Sequence, residues 1–209
     1  GCFEAVGVEH PPQVKTLKAA VVDRREAMQL LMGYNSFNGY VWNKLFDLQI
    51  IRGNDIRFHA DYPACEDTMF VGSYLYHCSR VCVTEECLYC YRQVSGGANR
   101  GRYSGRKAYD PKWMSVFEMT EYMADLYKDD AVTAACRLHE VREAGIVLRS
   151  MEAAGYHGAD HARLKGILRR GAGLFFRDEN SGRSQKLSVL LSCISPKLEL
   201  AVWKLRNRK

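Results

Sequence analysis

The sequence predicts an α/β chain, with a partial mixed sheet and flanking helices over residues 1–110 and a helical region over 111–209. Three observations predict it. Short β-branched and aromatic runs bounded by turn residues all fall before Pro111. Beyond Pro111 the apolar residues recur at helical spacing. The chain has 209 residues, 47% hydrophobic and 26% charged, which is enough to bury a core and excludes a fibrous or disordered protein. It contains no apolar run of about 20 residues, the length a membrane-spanning helix needs.

The elements follow in order. Val14 to Val22 reads as extended. Asp23-Arg24-Arg25-Glu26 has the acid-x-x-Glu form of a capping box, and the helix it opens, with Ala27, Leu30 and Leu31 inward, should stop at Gly33. A turn-rich stretch, Tyr34 to Tyr40, leads to Val41-Trp42-Asn43-Lys44-Leu45-Phe46, and a turn at Arg52 to Asn54 precedes a short strand, Ile56-Arg57-Phe58. From Asp67 the residues Phe70, Val71, Tyr74, Leu75 and Cys78 share a helix face. Val81-Cys82-Val83 and Leu88-Tyr89-Cys90-Tyr91 read as strands, and Ser95 to Gly105 as a polar, glycine-rich loop. In the helical half, one face carries Trp113, Val116, Phe117, Thr120, Ala124 and Tyr127, and a second carries Leu138, Val141, Gly145, Leu148 and Met151. A break at Gly155 to Gly158 precedes a helix over His161 to Phe176, and Lys186 to Ile194 and Pro196 to Arg208 close the chain.

The stretch from Gly39 to Gln93 is the most informative. It holds Trp42-Asn43-Lys44-Leu45-Phe46, Ile56-Arg57-Phe58, Glu66-Asp67-Thr68-Met69-Phe70 and Leu88-Tyr89-Cys90-Tyr91-Arg92, in that order. This succession resembles the second half of family 2 glycosyltransferases of the GT-A fold, the enzymes that build bacterial surface polysaccharides. The resemblance implies a GT-A-like sheet over residues 1–110 and sugar transfer, with inversion, from a nucleotide-sugar donor to a saccharide or lipid-linked acceptor. It implies that Asp67 is the general base that deprotonates the acceptor hydroxyl and that Glu66 helps hold the acceptor sugar. Lys44 and Arg92 would lie near the leaving diphosphate, where cations stabilise developing charge; as ordinary residues they are solvated surface charges. Trp42 is either a sugar platform or core packing, and Asp67 alone would pass for a helix cap. At a helix N-terminus, Asp67 should feel the positive end of the dipole and stay ionised.

The sequence also departs from that family. The full enzyme takes a divalent metal, Mg or Mn, on an Asp-x-Asp motif, and no two aspartates here are separated by one residue. Only 41 residues precede Trp42, too few for the nucleotide-binding strand and helix units. The N-terminus, Gly1-Cys2-Phe3, is neither a start methionine nor a signal peptide. The expectation is therefore a C-terminal, acceptor-side portion, cytoplasmic or peripheral on the inner face of the cell membrane.

Other clusters compete for attention. Cys82-x4-Cys87-x2-Cys90, with Cys78 or Cys136, has iron–sulfur or zinc spacing, but residues 87 and 90 should point to opposite faces of a strand. With no secretory signal, free thiols are the expected state of the eight cysteines. His157-x3-His161 has metal-ligand spacing, yet Gly158 interrupts the helix and no third ligand is evident. His139-Glu140 lacks a second histidine, and Gly96-x4-Gly101 lacks the Lys-Ser/Thr of a phosphate loop. Arg100, Arg102, Arg106 and Lys107 in that loop suit either a lid over substrate or a solvated segment.

The net charge is +6, and +5 of it lies in residues 186–209, where six cations accompany the single acid Glu199. This amphipathic, basic segment with Trp203 suits an anionic membrane surface, or a helix packed on its domain with a solvated basic face. No helix-turn-helix, zinc finger or RNA-binding aromatic motif accompanies the charge, so nucleic acid is not an expected partner. Two readings from other classes stand beside sugar transfer: a non-catalytic basic α/β module that binds a membrane or protein partner, and a metal–cysteine protein.

Overall fold

The computed structural model describes residues 2–6, 19–33, 38–92 and 109–207; for 2–6 and for Cys87, Leu88, Tyr91 and Arg92 it describes the backbone. The described residues are mostly helical, with a small strand content. They fall into two compact units that no single cut separates: Gly1–Gly97 with Ser115–Cys136, and Ala98–Met114 with Arg137–Lys209. No described helix is long and apolar enough to cross a membrane.

The first unit contains β1 (Cys2–Val6), β2 (Ala20–Val22), α1 (Arg24–Met32), α2 (Leu48–Gly53), α3 (Glu66–Tyr76), β3 (Val81–Val83), β4 (Cys87–Arg92) and α4 (Ser115–Tyr127). Helix α1 starts at the capping box the sequence predicts. Asp23 Oδ1 accepts from the Glu26 N–H at 2.8 Å, and Glu26 Oε2 accepts from the Asp23 N–H at 3.3 Å. It ends at Gly33, also as expected. The strands form two separate pairs rather than one mixed sheet: β1 runs parallel to β4, and β2 antiparallel to β3 with Ala20 opposite Val83. A two-stranded pair is marginal alone, so the core of this unit rests on helices. Ala27, Met28, Leu31 and Met32 of α1 are buried, as are Met69, Val71 and Leu75 of α3 and Phe117, Met119 and Met123 of α4. Gly72 sets the approach of α3 to α4, because a Cβ there would run into the Met123 side chain; the Tyr127 hydroxyl donates to the Gly72 carbonyl at 2.9 Å.

Two local expectations change. Ile56-Arg57-Phe58 is not a strand. The Ile56 N–H closes the end of α2 by donating to the Ile51 carbonyl at 3.0 Å, and Phe58 lies flat on Phe70, so the segment is held by a turn and an aromatic contact instead of a ladder. The turn expected at Arg52 to Asn54 is the end of α2, a short helix capped by Asp47, whose carboxylate accepts from the Gln49 N–H.

The second unit contains a 3-10 turn at Pro111–Met114, the larger part of α5 (Asp130–Ala154), α6 (Ala159–Arg177), α7 (Arg183–Ile194) and α8 (Pro196–Arg206). Its core takes Val141, Ala144, Val147, Leu148 and Met151 from α5, Leu164, Leu168 and Phe175 from α6, Val189 from α7 and Leu200 from α8. Gly171 lets α6 meet α5 closely, since a Cβ there would collide with Val141. The α5–α6 break falls where the sequence places it. Gly155 has φ +68°, the Gly155 N–H donates to the Glu152 carbonyl and the Tyr156 N–H to the Met151 carbonyl. This is a Schellman turn, which needs a residue tolerant of the left-handed region at that one position. Ser195 caps α8 and Pro196 opens it, as a residue without an N–H does best.

Candidate functional site

The four sequence words that carry the resemblance meet in the first unit. Phe46, Phe58 and Phe70, one from each of the first three, form an aromatic cluster. The Phe58 and Phe70 rings stack at 4.5 Å, and Phe46 meets Phe70 edge-on at 5.4 Å and Tyr74 at 4.9 Å. The fourth word joins through β4, where Tyr89 stacks on Trp42 at 4.7 Å. Residues separated by up to 47 positions (Trp42 to Tyr89) are therefore brought into contact, and the first cluster lies along α3 at Phe70 and Tyr74.

Asp67 lies in the first turn of α3, but it does not cap the helix. The N-cap is Cys65, without a side-chain cap hydrogen bond. The Asp67 carboxylate instead accepts from the backbone N–H of Val41. The turn over residues 38–44 thus lies against the start of α3, and it packs so closely that a Cβ on Gly39 would overlap Thr68. Asn38, with φ +55°, helps bend the chain there.

The electrostatics of Asp67 differ from the dipole argument. Burial, and next the neighbouring Glu66 charge, raise its pKa above the ordinary aspartate value, while the Val41 N–H and the Lys44 charge pull the other way. A raised carboxyl is a stronger base once ionised, which suits proton abstraction. Glu66 is exposed beside it.

Lys44 is half-buried rather than a free surface charge. Its Nζ donates to the Asn38 carbonyl at 2.7 Å, the Tyr40 carbonyl at 2.7 Å and Asn43 Oδ1 at 2.8 Å. These three acceptors match the three donors of an ammonium group, so the side chain braces the 38–44 turn. Burial pushes its pKa down to about 7, opposed by the charge of Asp67.

Trp42 stacks on two protein rings, Tyr40 at 4.9 Å and Tyr89 at 4.7 Å. Tyr40 and Tyr89 are the exposed members of this aromatic row, so the surface it offers is mainly tyrosine. Tyr40 was not singled out from the sequence; its signal was its place two residues from Trp42 in the turn. Arg92 lies in β4, and its side chain, like the whole of residues 93–108 with Arg100, Arg102, Arg106 and Lys107, falls outside the described residues.

The divalent ion that the resemblance implies has no fitting ligand set here. Asp67 and Glu66 gain no third ligand among the described residues, and the chain contains no Asp-x-Asp, so no step is routed through a metal at this site. The described members of the cysteine cluster do not converge either. Cys78 is buried with its Sγ 3.5 Å from the Tyr74 carbonyl, Cys82 and Cys90 are exposed, and Cys136 is buried in α5. A cleft at the opposite end of α3, whose lining includes Arg24, Arg25, Tyr76, His77, Cys78, Tyr127 and Asp129, holds none of Trp42, Lys44, Glu66, Asp67 and Arg92.

In the second unit, α7 and α8 turn apolar side chains outward. Leu187, Leu190, Ile194, Leu198 and Leu205 are exposed, while Glu199 is 3% exposed and bound to Arg149 of α5 at 2.8 Å. No protein-family model matches the chain, and no curated protein or solved structure is significantly similar to it.

Proposed function

We propose that the first unit is the acceptor side of an inverting glycosyltransferase with a GT-A-like fold, and that Asp67 is its general base. In the reaction the acceptor hydroxyl gives its proton to the Asp67 carboxylate. Its oxygen attacks the anomeric carbon of a nucleotide-sugar, and the bond from that carbon to the diphosphate breaks with inversion. Glu66 accepts hydrogen bonds from the acceptor sugar, and Tyr40 and Tyr89, backed by Trp42, offer ring faces for it. Lys44 acts through the turn it braces and through the charge of Asp67. Arg92 is assigned to the diphosphate from the resemblance alone.

One observation carries this reading. The first three sequence words join along α3 through Phe46, Phe58 and Phe70, the fourth reaches the first through Tyr89 on Trp42, and Asp67 in the first turn of α3 is held by the Val41 N–H instead of capping the helix.

A peripheral position on the inner face of a bacterial membrane, suited to a lipid-linked acceptor, is supported by the apolar side chains that α7 and α8 expose beside Lys186, Lys197, Lys204 and Arg206. The same surface would serve a non-catalytic membrane-binding module. Catalysis separates the two. The intact gene product, given a panel of nucleotide-sugars and saccharide or lipid-linked acceptors, should release nucleoside diphosphate only when an acceptor is present. Asp67→Asn should lower that release by about 10²–10⁴-fold with unchanged circular dichroism. Full turnover in the variant would remove Asp67 from the chemistry, and no release with any donor would leave the membrane-binding module.

A further inference from the structure

We propose that Glu152, His157 and His161 form a binding site for a zinc-class divalent cation that clamps the end of α5 to the start of α6. The site lies wholly in the second unit and is independent of the sugar-transfer reading.

The histidine spacing alone offers two ligands on an interrupted helix. The Schellman turn supplies the third. With Gly155 in the left-handed region, the chain reverses over the last turn of α5, and Glu152, which lies in that turn, faces the histidines that follow. Glu152 Oε1 is 2.8 Å from His161 Nε2 and 3.9 Å from His157 Nδ1, and the three ligand atoms all lie within 4.8 Å of one another. A tetrahedral zinc with bonds of about 2.0–2.1 Å holds its ligand atoms roughly 3.3 Å apart, so the spacings straddle the required value. The imidazole rings stand nearly perpendicular, at 82°, with centroids 5.0 Å apart, so they are not stacked face to face and their nitrogens can converge.

Burial makes the cluster more than a surface coincidence. The Glu152 side chain is 4% exposed and that of His161 12%, while His157 is 49% exposed. A buried carboxylate needs a positive partner or good hydrogen bonds, and the hydrogen bond to His161 occupies the space a metal would take. The half-exposed His157 gives an ion a route in from solvent. Two imidazoles and one carboxylate are a donor set for zinc and its neighbours rather than for magnesium or calcium, which prefer oxygen alone. Three protein ligands leave a fourth position for water.

The surrounding turn is braced independently of any ion. Tyr109 packs on Tyr156 at 4.7 Å and donates to Asp160 Oδ2 at 3.1 Å, and a Cβ on Gly158 would strike the Tyr156 ring. The ligands are therefore presented by a held loop, and the ion has little ordering to do.

Zinc also binds thiols, so the test is differential. The full chain is equilibrated with Zn²⁺, and bound metal is measured for the wild type, Glu152→Gln, His157→Ala and His161→Ala. Each variant should bind one equivalent fewer, or bind that equivalent at least about 10-fold more weakly. Zinc should also raise the thermal midpoint of the wild type more than that of His157→Ala, which removes an exposed ring and keeps the fold. Equal stoichiometry and equal thermal shift in the wild type and His157→Ala would overturn the site, leaving the Glu152–His161 contact as a plain hydrogen bond.

Discussion

Lys44 shows how one residue's surroundings set a measurable property. Its ammonium is satisfied by three oxygens, yet burial lowers its pKa from 10.5 to about 7. The unfolded chain keeps this lysine protonated to about 10.5 while the folded one releases the proton near 7. Between those values the unfolded state binds more protons, so stability rises with pH across the window. From pH 7 to 8.5 the gain should be about 1–2 kcal/mol by that linkage, and Lys44→Met should flatten the profile in urea titrations. A profile equally steep in the variant would assign the proton elsewhere. The window stops at 8.5 because burial raises the Cys78 and Cys193 thiols and the Tyr109 and Tyr127 hydroxyls. Those groups stay protonated in the folded state after the unfolded chain has lost its protons, so they lower stability at higher pH. Asp67 belongs to the same scale: its identity as an acid beside another acid is visible in the sequence, but its release from capping depends on Val41 arriving from 26 residues away.

At the scale of the element, α8 is governed by one inward carboxylate. Its apolar residues alone would place Leu198 and Leu205 in the core. Glu199 faces inward instead, bound by Arg149 and by the Ser188 hydroxyl at 2.7 Å, and the Arg149 guanidinium lies 5.0 Å over the Trp203 ring. Burying this pair commits the helix to a rotation that leaves Leu198 and Leu205 outside. Arg149→Met should destabilise the second unit by about 3–5 kcal/mol, since it strands a buried charge, and adding Glu199→Leu should restore much of that loss; chemical denaturation of the single and double variants decides it. The apolar residues that α7 and α8 leave exposed predict a membrane phenotype. The chain should pellet with vesicles containing phosphatidylglycerol and much less with neutral ones, and Ile194→Glu with Leu198→Glu should reduce pelleting severalfold. Equal pelleting of that double variant would show that the exposed leucines take no part.

The whole molecule divides its labour between two units, each with its own helical core. The candidate transfer site and the candidate cation site lie in different units, so a change at either one should leave the other's readout intact. Much of the organisation was legible in the sequence. The capping box at Asp23 and Glu26, the stop at Gly33, the helix from Asp67, the strand at Val81–Val83, the helical half after Pro111, the break at Gly155 and the Ser195-Pro196 start all lie where local chemistry puts them. Apart from the Val81–Val83 strand, which pairs with Ala20–Val22, each depends on residues within one or two turns of the position it controls. The tertiary structure alone decided that Ile56–Phe58 packs on Phe70 instead of pairing as a strand, that α8 faces Glu199 inward, and that Glu152 completes a trio with two histidines. A pattern of Glu152, Gly155, His157 and His161 does carry a signal for the last of these, because a left-handed glycine folds the chain back over the turn before it. The others have no such local mark. They rest on partners distant in the chain, and a side chain's burial, charge and direction are set by whichever partner the fold brings to it.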